Sequence, residues 1–195
     1  MSKPTELIKI VTGLTREDFP DETWLGWFNE ALNDLAKVLK LETVDTFSLN
    51  DEASHIIPSD IIEISKLVIT DSQGNKKNMI VADLSDGNEE ELTENQYWIW
   101  DGQIYFKNKK SGEAKLYYYR RPKKAKLSDA SFDLLEAYED ALVLFAAAKS
   151  KSIDKGWLDQ KNAFLDDYYR RKGEIEEERN KQTKVARFVK QMRWR

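Results

Sequence analysis

The sequence predicts an α+β protein that is mainly α: a helical bundle with a small antiparallel β insertion at about residues 44–119 and a C-terminal arm. Three observations predict it. Apolar residues recur with a helical period on both sides of the chain's middle, and within it the pattern turns β-branched and alternating. Asp101-Gly102 separates two aromatic runs and has the composition of a two-residue type I′ turn. From Arg179 to the end there are seven basic residues and no acidic one.

The first strong helix signal is Asp21 to Leu41. Trp24, Trp27, Phe28, Ala31, Leu32, Leu35, Val38 and Leu39 fall on one helical face. Asp21, after Pro20, is the expected N-cap. A shorter helix is expected at about Thr5 to Val11, ended by Gly13. His55 to Asp71 is rich in isoleucine and valine, with Pro58 breaking it into a turn and a strand. Ser72 to Asn75 is a turn, Met79 to Val81 a returning strand, and Asp83 to Glu94 an exposed acidic loop. Tyr97–Trp100 and Gln103–Phe106 form the hairpin. Lys109 to Gly112 is expected to turn again, into a third strand at Ala114–Tyr119. The helical period returns after Ser128 or Asp129, either of which can cap. Leu134, Leu135, Tyr138, Ala141, Leu142, Phe145 and Ala146 make its stripe. A turn at Asp154–Gly156 leads to a last helix with Trp157, Phe164, Leu165, Tyr168 and Tyr169, which turns charged past Gly173. This order gives one domain over residues 1–183 and an arm over residues 184–195.

The 195 residues are enough to bury a real core. There is no cysteine, which excludes disulfides, thiolate metal sites and cysteine nucleophiles. The N-terminus MSKPTELIKIVTG lacks the apolar run of a signal peptide, and no stretch approaches the ~20 apolar residues of a membrane helix. A soluble protein without membrane contact is expected. Net charge is −4, unevenly spread: Glu89, Glu90, Glu91 and Glu94 cluster mid-chain, and the C-terminus is basic.

The motifs of catalysis are missing. The single histidine, His55, stands beside Ile56 and Ile57 at a strand entrance, where a structural role is expected. There is no HExxH motif and no glycine-rich phosphate loop. Asp166 and Asp167 are adjacent on a helix and point about 100° apart. Glu177 stands four residues before Lys181, the spacing of a surface ion pair. No catalytic residue, metal site or cofactor is expected.

Two segments suggest interaction. KLYYYRRPKK, Lys115–Lys124, interleaves aromatics with bases, as nucleic-acid-binding surfaces do. In a strand, Tyr117 and Tyr119 share one face and Tyr118 takes the other. A strand end with a polar subunit contact through Tyr118, Arg120 and Arg121 is the preferred expectation over nucleic-acid readout. The tail, Lys184–Arg195, sets Val185, Phe188, Val189 and Met192 on one helical stripe with Lys184 and Arg187 largely off it. Arg193 and Trp194 follow, and arginine and tryptophan are common interface anchors. The pattern suits a partner groove.

The order of these motifs resembles the head–tail connector, or adaptor, proteins of tailed bacteriophages. TWLGWFNEALNDLAKVL is similar to their first long helix, and IIPSDIIEISKLVI to their proline-led turn into a strand. YWIWDGQIYF and KLYYYRRPKKAKLSD are similar to their hairpin and its exit, and AYEDALVLFAAAKS to the first of their closing helices. The resemblance runs from about Asp21 to Arg171. It implies a ring of twelve copies in the virion neck, assembled in the host cytoplasm and docked between the portal protein and a tail-side stopper or tail protein. DNA would pass through the ring's channel without sequence-specific contact. The arm residues Lys184, Val185, Arg187, Phe188, Val189, Met192, Arg193 and Trp194 would contact the portal or a neighbouring subunit. The competing classes are a nucleic-acid-binding module and another neck or tail completion protein.

Overall fold

The computed structural model describes residues 2–82, 92–153 and 158–192, without the side chains of Glu52 and residues 183–192. It holds two compact units: Met1–Lys40 with Pro122–Arg195, and Leu41–Arg121.

The first unit is helical: α1 Pro4–Thr15, α2 Asp21–Leu39, α3 Glu139–Lys151 and α4 Leu158–Met192. In α1, proline opens the first turn and the Glu6 carboxylate accepts the Lys3 N–H at 2.9 Å. The helix runs through Gly13 and stops where Arg16 turns left-handed at φ 58° and donates to the Thr12 carbonyl. For α2 the N-cap is Pro20, one residue earlier than expected, and Asp21 and Glu22 lie in the first turn. Its buried face carries Trp24, Phe28, Leu32 and Leu35, as its spacing predicts.

The helix expected after Ser128 begins only at Glu139, behind a 3-10 turn at Glu136–Tyr138. Asp129 accepts the Lys126 N–H at 2.8 Å and Asp133 that of Lys123 at 2.7 Å, so these carboxylates hold turns. Phe132 still reaches the core, edge-on to Phe28 at 5.6 Å. Helix α3 is buried almost all round, through Ala141, Leu142, Val143 and Ala146–Ala148, as befits a helix packed against α1, α2 and α4.

The second unit corrects the expected fold class. The protein is not mainly a helical bundle with a small meander. Its described residues form five strands: β1 Leu41–Ile56, β2 Ile61–Thr70, β3 Lys76–Val81, β4 Gln96–Trp100 and β5 Gln103–Arg120. The sheet order is β1-β5-β2-β3-β4, and β4 pairs back to β5. Four strands thus close into a barrel, with β1 added along the other edge of β5. The expected turn at Lys109–Gly112 does not form, and β5 runs unbroken for 18 residues. Its first part, Gln103–Phe106, pairs with β4, and Glu113–Arg120 pairs with β2. Gly112 allows this exchange of neighbours: at φ +128°, an added Cβ would stand 2.2 Å from the Thr70 carbonyl oxygen.

Strand β1 pairs with β5 from Leu41↔Arg120 to Ile56↔Gln103, with irregularities at Asn50/Glu52 and Glu52/Ser54. Asp51 takes φ 60° there, and the strand bends enough for Phe47 and His55 to stack 3.4 Å apart. The barrel core is Leu49, Leu67, Ile69, Met79, Tyr97, Ile104, Phe106, Ala114, Leu116 and Tyr118.

Candidate assembly interface

The hairpin between β4 and β5 sets the geometry. Asp101 and Gly102 both have positive φ, 46° and 70°, as a type I′ turn requires. The turn fixes the pairs Trp100↔Gln103, Trp98↔Tyr105 and Tyr97↔Phe106. Directly paired residues share a face and successive residues alternate. Tyr97, Ile104 and Phe106 are buried, so Trp98, Trp100, Gln103 and Tyr105 point outward. On the other side of β5, Ile56 pairs with Gln103 and joins them. Beyond β4, Ile80 pairs with Gln96 on that outer side.

The result is an outer face of Ile80, Gln96, Trp98, Trp100, Gln103, Tyr105, Ser54 and Ile56. Trp98 and Tyr105 stack at 5.5 Å and 18°. Trp100 and Ile56 are each 72% exposed, and Ile80 61%. None of the eight side chains is charged, in a chain that is 34% charged. An exposed face of these eight residues, bounded on β5 by the exposed Lys107, has the apolar, aromatic composition of a protein contact with a charged margin.

The residues expected to act from KLYYYRRPKK are placed differently from one another. Tyr118 is buried in the barrel, and its hydroxyl donates to Asp60 Oδ1 at 3.4 Å. Burial, together with the nearby Asp60 and Asp45 carboxylates, pushes that hydroxyl's pKa up. Arg120 closes the strand opposite both Leu41 and Ile61, and its Nη1 donates to the Arg121 carbonyl at 3.1 Å. The Arg121 N–H donates to the Asp60 carbonyl at 2.8 Å. One of the three tyrosines thus supports the barrel from within, while Tyr117 and Tyr119 share the opposite, part-exposed face. In the arm, helix α4 carries the backbone through Met192. The side chains of Lys184, Val185, Arg187, Phe188, Val189 and Met192, and all of Arg193 and Trp194, lie outside the described residues, as do Glu89, Glu90 and Glu91. Among the described residues no cluster of three or more histidines or carboxylates could hold a metal ion, and no helix is long and apolar enough to cross a membrane.

The model of the SU10 adaptor protein family matches residues 5–190. The chain belongs to the SU10 adaptor protein family. This is a phage head–tail adaptor family, so the role of the chain is structural and its place is the virion neck. A search of curated proteins finds no match. The match spans both units and extends past the Asp21–Arg171 range that carries the sequence resemblance.

Sequence reasoning used YWIWDGQIYF for its turn and missed the outer face of this SU10-family adaptor. The signal was present. Trp98 and Trp100 are two residues apart and share one side of a strand, opposite Tyr97. The turn then sets Tyr105 beside Trp98. What the local sequence lacked was Ile56 and Ile80, which long-range pairing brings to the same side.

Proposed function

We propose that this SU10-family adaptor is a non-enzymatic ring component that joins the portal to the tail. In this proposal twelve copies form the ring, a tail-side stopper or tail protein docks on the face away from the portal, and DNA passes through the extended channel without sequence-specific contact. The observation that carries it is the family match over residues 5–190.

The outer face of β4, β5 and β1 supports a subunit contact. Each copy carries a net charge of −4, so identical neighbours repel one another over most of their surface. A ring of such copies closes best through surfaces that hold no charge, and the Trp98–Trp100–Tyr105 face is one. The basic arm, residues 184–195, is assigned to the portal or to a neighbouring subunit. Arg120 and Arg121, at the opposite end of β5 from Gln103, are assigned to a second polar subunit contact, the one expected of Tyr118, Arg120 and Arg121.

The test is the double substitution Ile56→Asp with Trp100→Asp. Both side chains are largely exposed, so the folded protein is expected to keep its circular dichroism. Assembly with portal, followed by sedimentation and mass spectrometry of particles, should show loss of the adaptor from the neck. Normal occupancy by the double variant refutes the contact, and absence of the unaltered chain from purified particles refutes the adaptor role.

A further inference from the structure

Strand β1 ends the sheet and bonds only to β5. Among the described residues its other edge pairs with no strand. Along residues 41–50 the ladder to β5 is regular, and the irregularities begin only after Asn50. Alternate residues of such an edge direct both N–H and C=O away from the sheet. The ligand that matches this row of donors and acceptors is another extended polypeptide.

Exposed edges are commonly blunted by lysine, proline or a short strand. Strand β1 is 16 residues long and holds no lysine, arginine or proline; its bulges fall after Asn50, which leaves residues 41–50 unbent. Its formal charges are all negative, from Glu42, Asp45, Asp51 and Glu52. The strand it already pairs is of the opposite kind. β5 carries Lys107, Lys109, Lys110, Lys115 and Arg120 against the single acid Glu113. Lys109 Nζ meets Asp51 Oδ2 at 3.2 Å across the pair.

We propose that the open edge of β1 takes an extended segment of another protein, one rich in lysine or arginine, as a sixth strand. Charge selects this occupant. A second β1 in parallel register would set Glu42 and Asp45 against identical acids, which destabilises a strand pair, and in any register it brings only further negative charge to the edge. Nucleic acid is a polyanion and is repelled. The basic extended run of this chain, Lys123–Lys126, has its backbone engaged within the helical unit. There the Lys123 N–H donates to Asp133 at 2.7 Å, and Asn29 both accepts from and donates to Ala125, at 2.8 and 3.1 Å. The other basic run, from Arg179 on, is held as helix through Met192 rather than as an extended strand, so the segment is assigned to a different protein. This inference does not depend on the ring, since it concerns the isolated subunit.

The test uses the full-length protein, labelled for NMR, and three synthetic ten-residue probes. The first alternates lysine with threonine and valine. The second has the same sequence with alternate backbone nitrogens methylated, which removes edge donors and keeps the charge. The third replaces lysine by glutamate. The first is expected to slow hydrogen exchange of alternate amides within residues 41–50 by about tenfold or more, with little change elsewhere. The second and third should not protect them. The variant Glu42→Lys with Thr46→Lys, at two exposed positions, should lose the effect while keeping the dispersed spectrum. Equal protection by the methylated probe, protection outside residues 41–50, or no protection by the first probe each overturns the inference.

Discussion

Replacing Gly112 by alanine perturbs the one point on which closure of the β-barrel turns. The new Cβ would lie 2.2 Å from the Thr70 oxygen, 3.1 Å from the Thr70 carbonyl carbon and 3.2 Å from Asp71 Cα. All three atoms are backbone, so no side chain can swing aside. Relieving the overlap means moving β2 against β5, which costs about 1–3 kcal/mol, as overpacked cores do. Holding alanine at φ +128° adds roughly 1–2 kcal/mol. A total of about 3 kcal/mol, on a unit spanning residues 41–121, is a fall in melting temperature of roughly 10–25 °C if that unit unfolds as one. Gly74 and Gly102 separate the two contributions. They have φ +82° and +70° with nothing within 4 Å of an added Cβ, so alanine there should cost only about 1 kcal/mol. Calorimetry of the full chain reads the total, and hydrogen exchange shows which amides loosen. Amides of residues 41–121 should lose protection and those of α2 and α3 should keep it. If Gly112→Ala costs no more than Gly102→Ala, strand β5 does not change partners as described.

Asp34 accepts from the Tyr168 hydroxyl at 2.5 Å and from Lys172 Nζ at 2.6 Å. Burial alone would raise the pKa of this carboxyl, but the bonds from Lys172 and Tyr168 outweigh it and hold it below the usual value. Its stabilising contribution is thus complete above the unfolded-state pKa of about 3.9 and is lost as pH falls through the folded value. The Asp34 side chain is 44% exposed, so water screens the pair; Asp34→Asn should cost no more than about 1 kcal/mol at neutral pH, and chemical denaturation should show the difference shrinking below about pH 4. Lys151 is 5% exposed and donates to the Thr15 carbonyl at 2.8 Å and to Glu17 at 2.6 Å. Lys151→Met should cost about 1–3 kcal/mol, at the lower end because Glu17 keeps access to water. Gly26→Ala, on α2 with nothing within 4 Å of the new Cβ, should instead gain up to about 1 kcal/mol, measured by thermal melting. Deleting Lys184–Arg195 should leave melting little changed and abolish association with the portal or with neighbouring copies; particles with normal occupancy would refute the arm's role.

Helix α2 was legible because every large apolar residue from Trp24 to Leu39 marks one face and each packs locally. The β4–β5 turn was legible for a similar reason: Asp101-Gly102 answers a backbone requirement within four residues. Strand β1 was not. Leu41–Asn50 reads LETVDTFSLN, with apolar side chains too sparse for a strand signal, and its order comes from the ladder to β5 some 60 to 80 residues away. The same distance hid the true length of β5. Lys109-Lys110-Ser111-Gly112 has the composition of a turn, yet β1 pairs along it and draws it straight. The late start of α3 has a local cause. Asp129 and Asp133 bond to backbone N–H groups of the incoming chain rather than to a helix terminus. The outer aromatic face needed both kinds of knowledge, the local alternation of Trp98 and Trp100 and the distant arrival of Ile56 and Ile80.

Helix α4 shows why the arm remains the strongest site that sequence alone supplied. Its packed part is held at separated points. Tyr168 and Ile175, seven residues apart on one face, are buried. Arg171 bonds to Asp140 and to the Ala137 carbonyl at 2.8 and 2.6 Å. Arg179 donates to the Lys40 carbonyl at 2.9 Å, and Lys40 donates to Asn180 at 2.7 Å. With these bonds the helix is tied to the end of α2, and Lys181 and Gln182 beyond them are exposed. A separate helix of about a dozen residues is marginal in water, because its first turn must be nucleated. An extension of α4 needs no new nucleus, so the chain past Asn180 gains helical order from the packed part behind it. An extension meant only for solvent would be polar all round, as Glu176–Glu178 are. The sequence instead restores an apolar stripe at Val185, Phe188, Val189 and Met192, past the tethers at Arg179 and Asn180. Such a stripe stabilises an assembly when a partner covers it, and the deletion of Lys184–Arg195 tests whether one does.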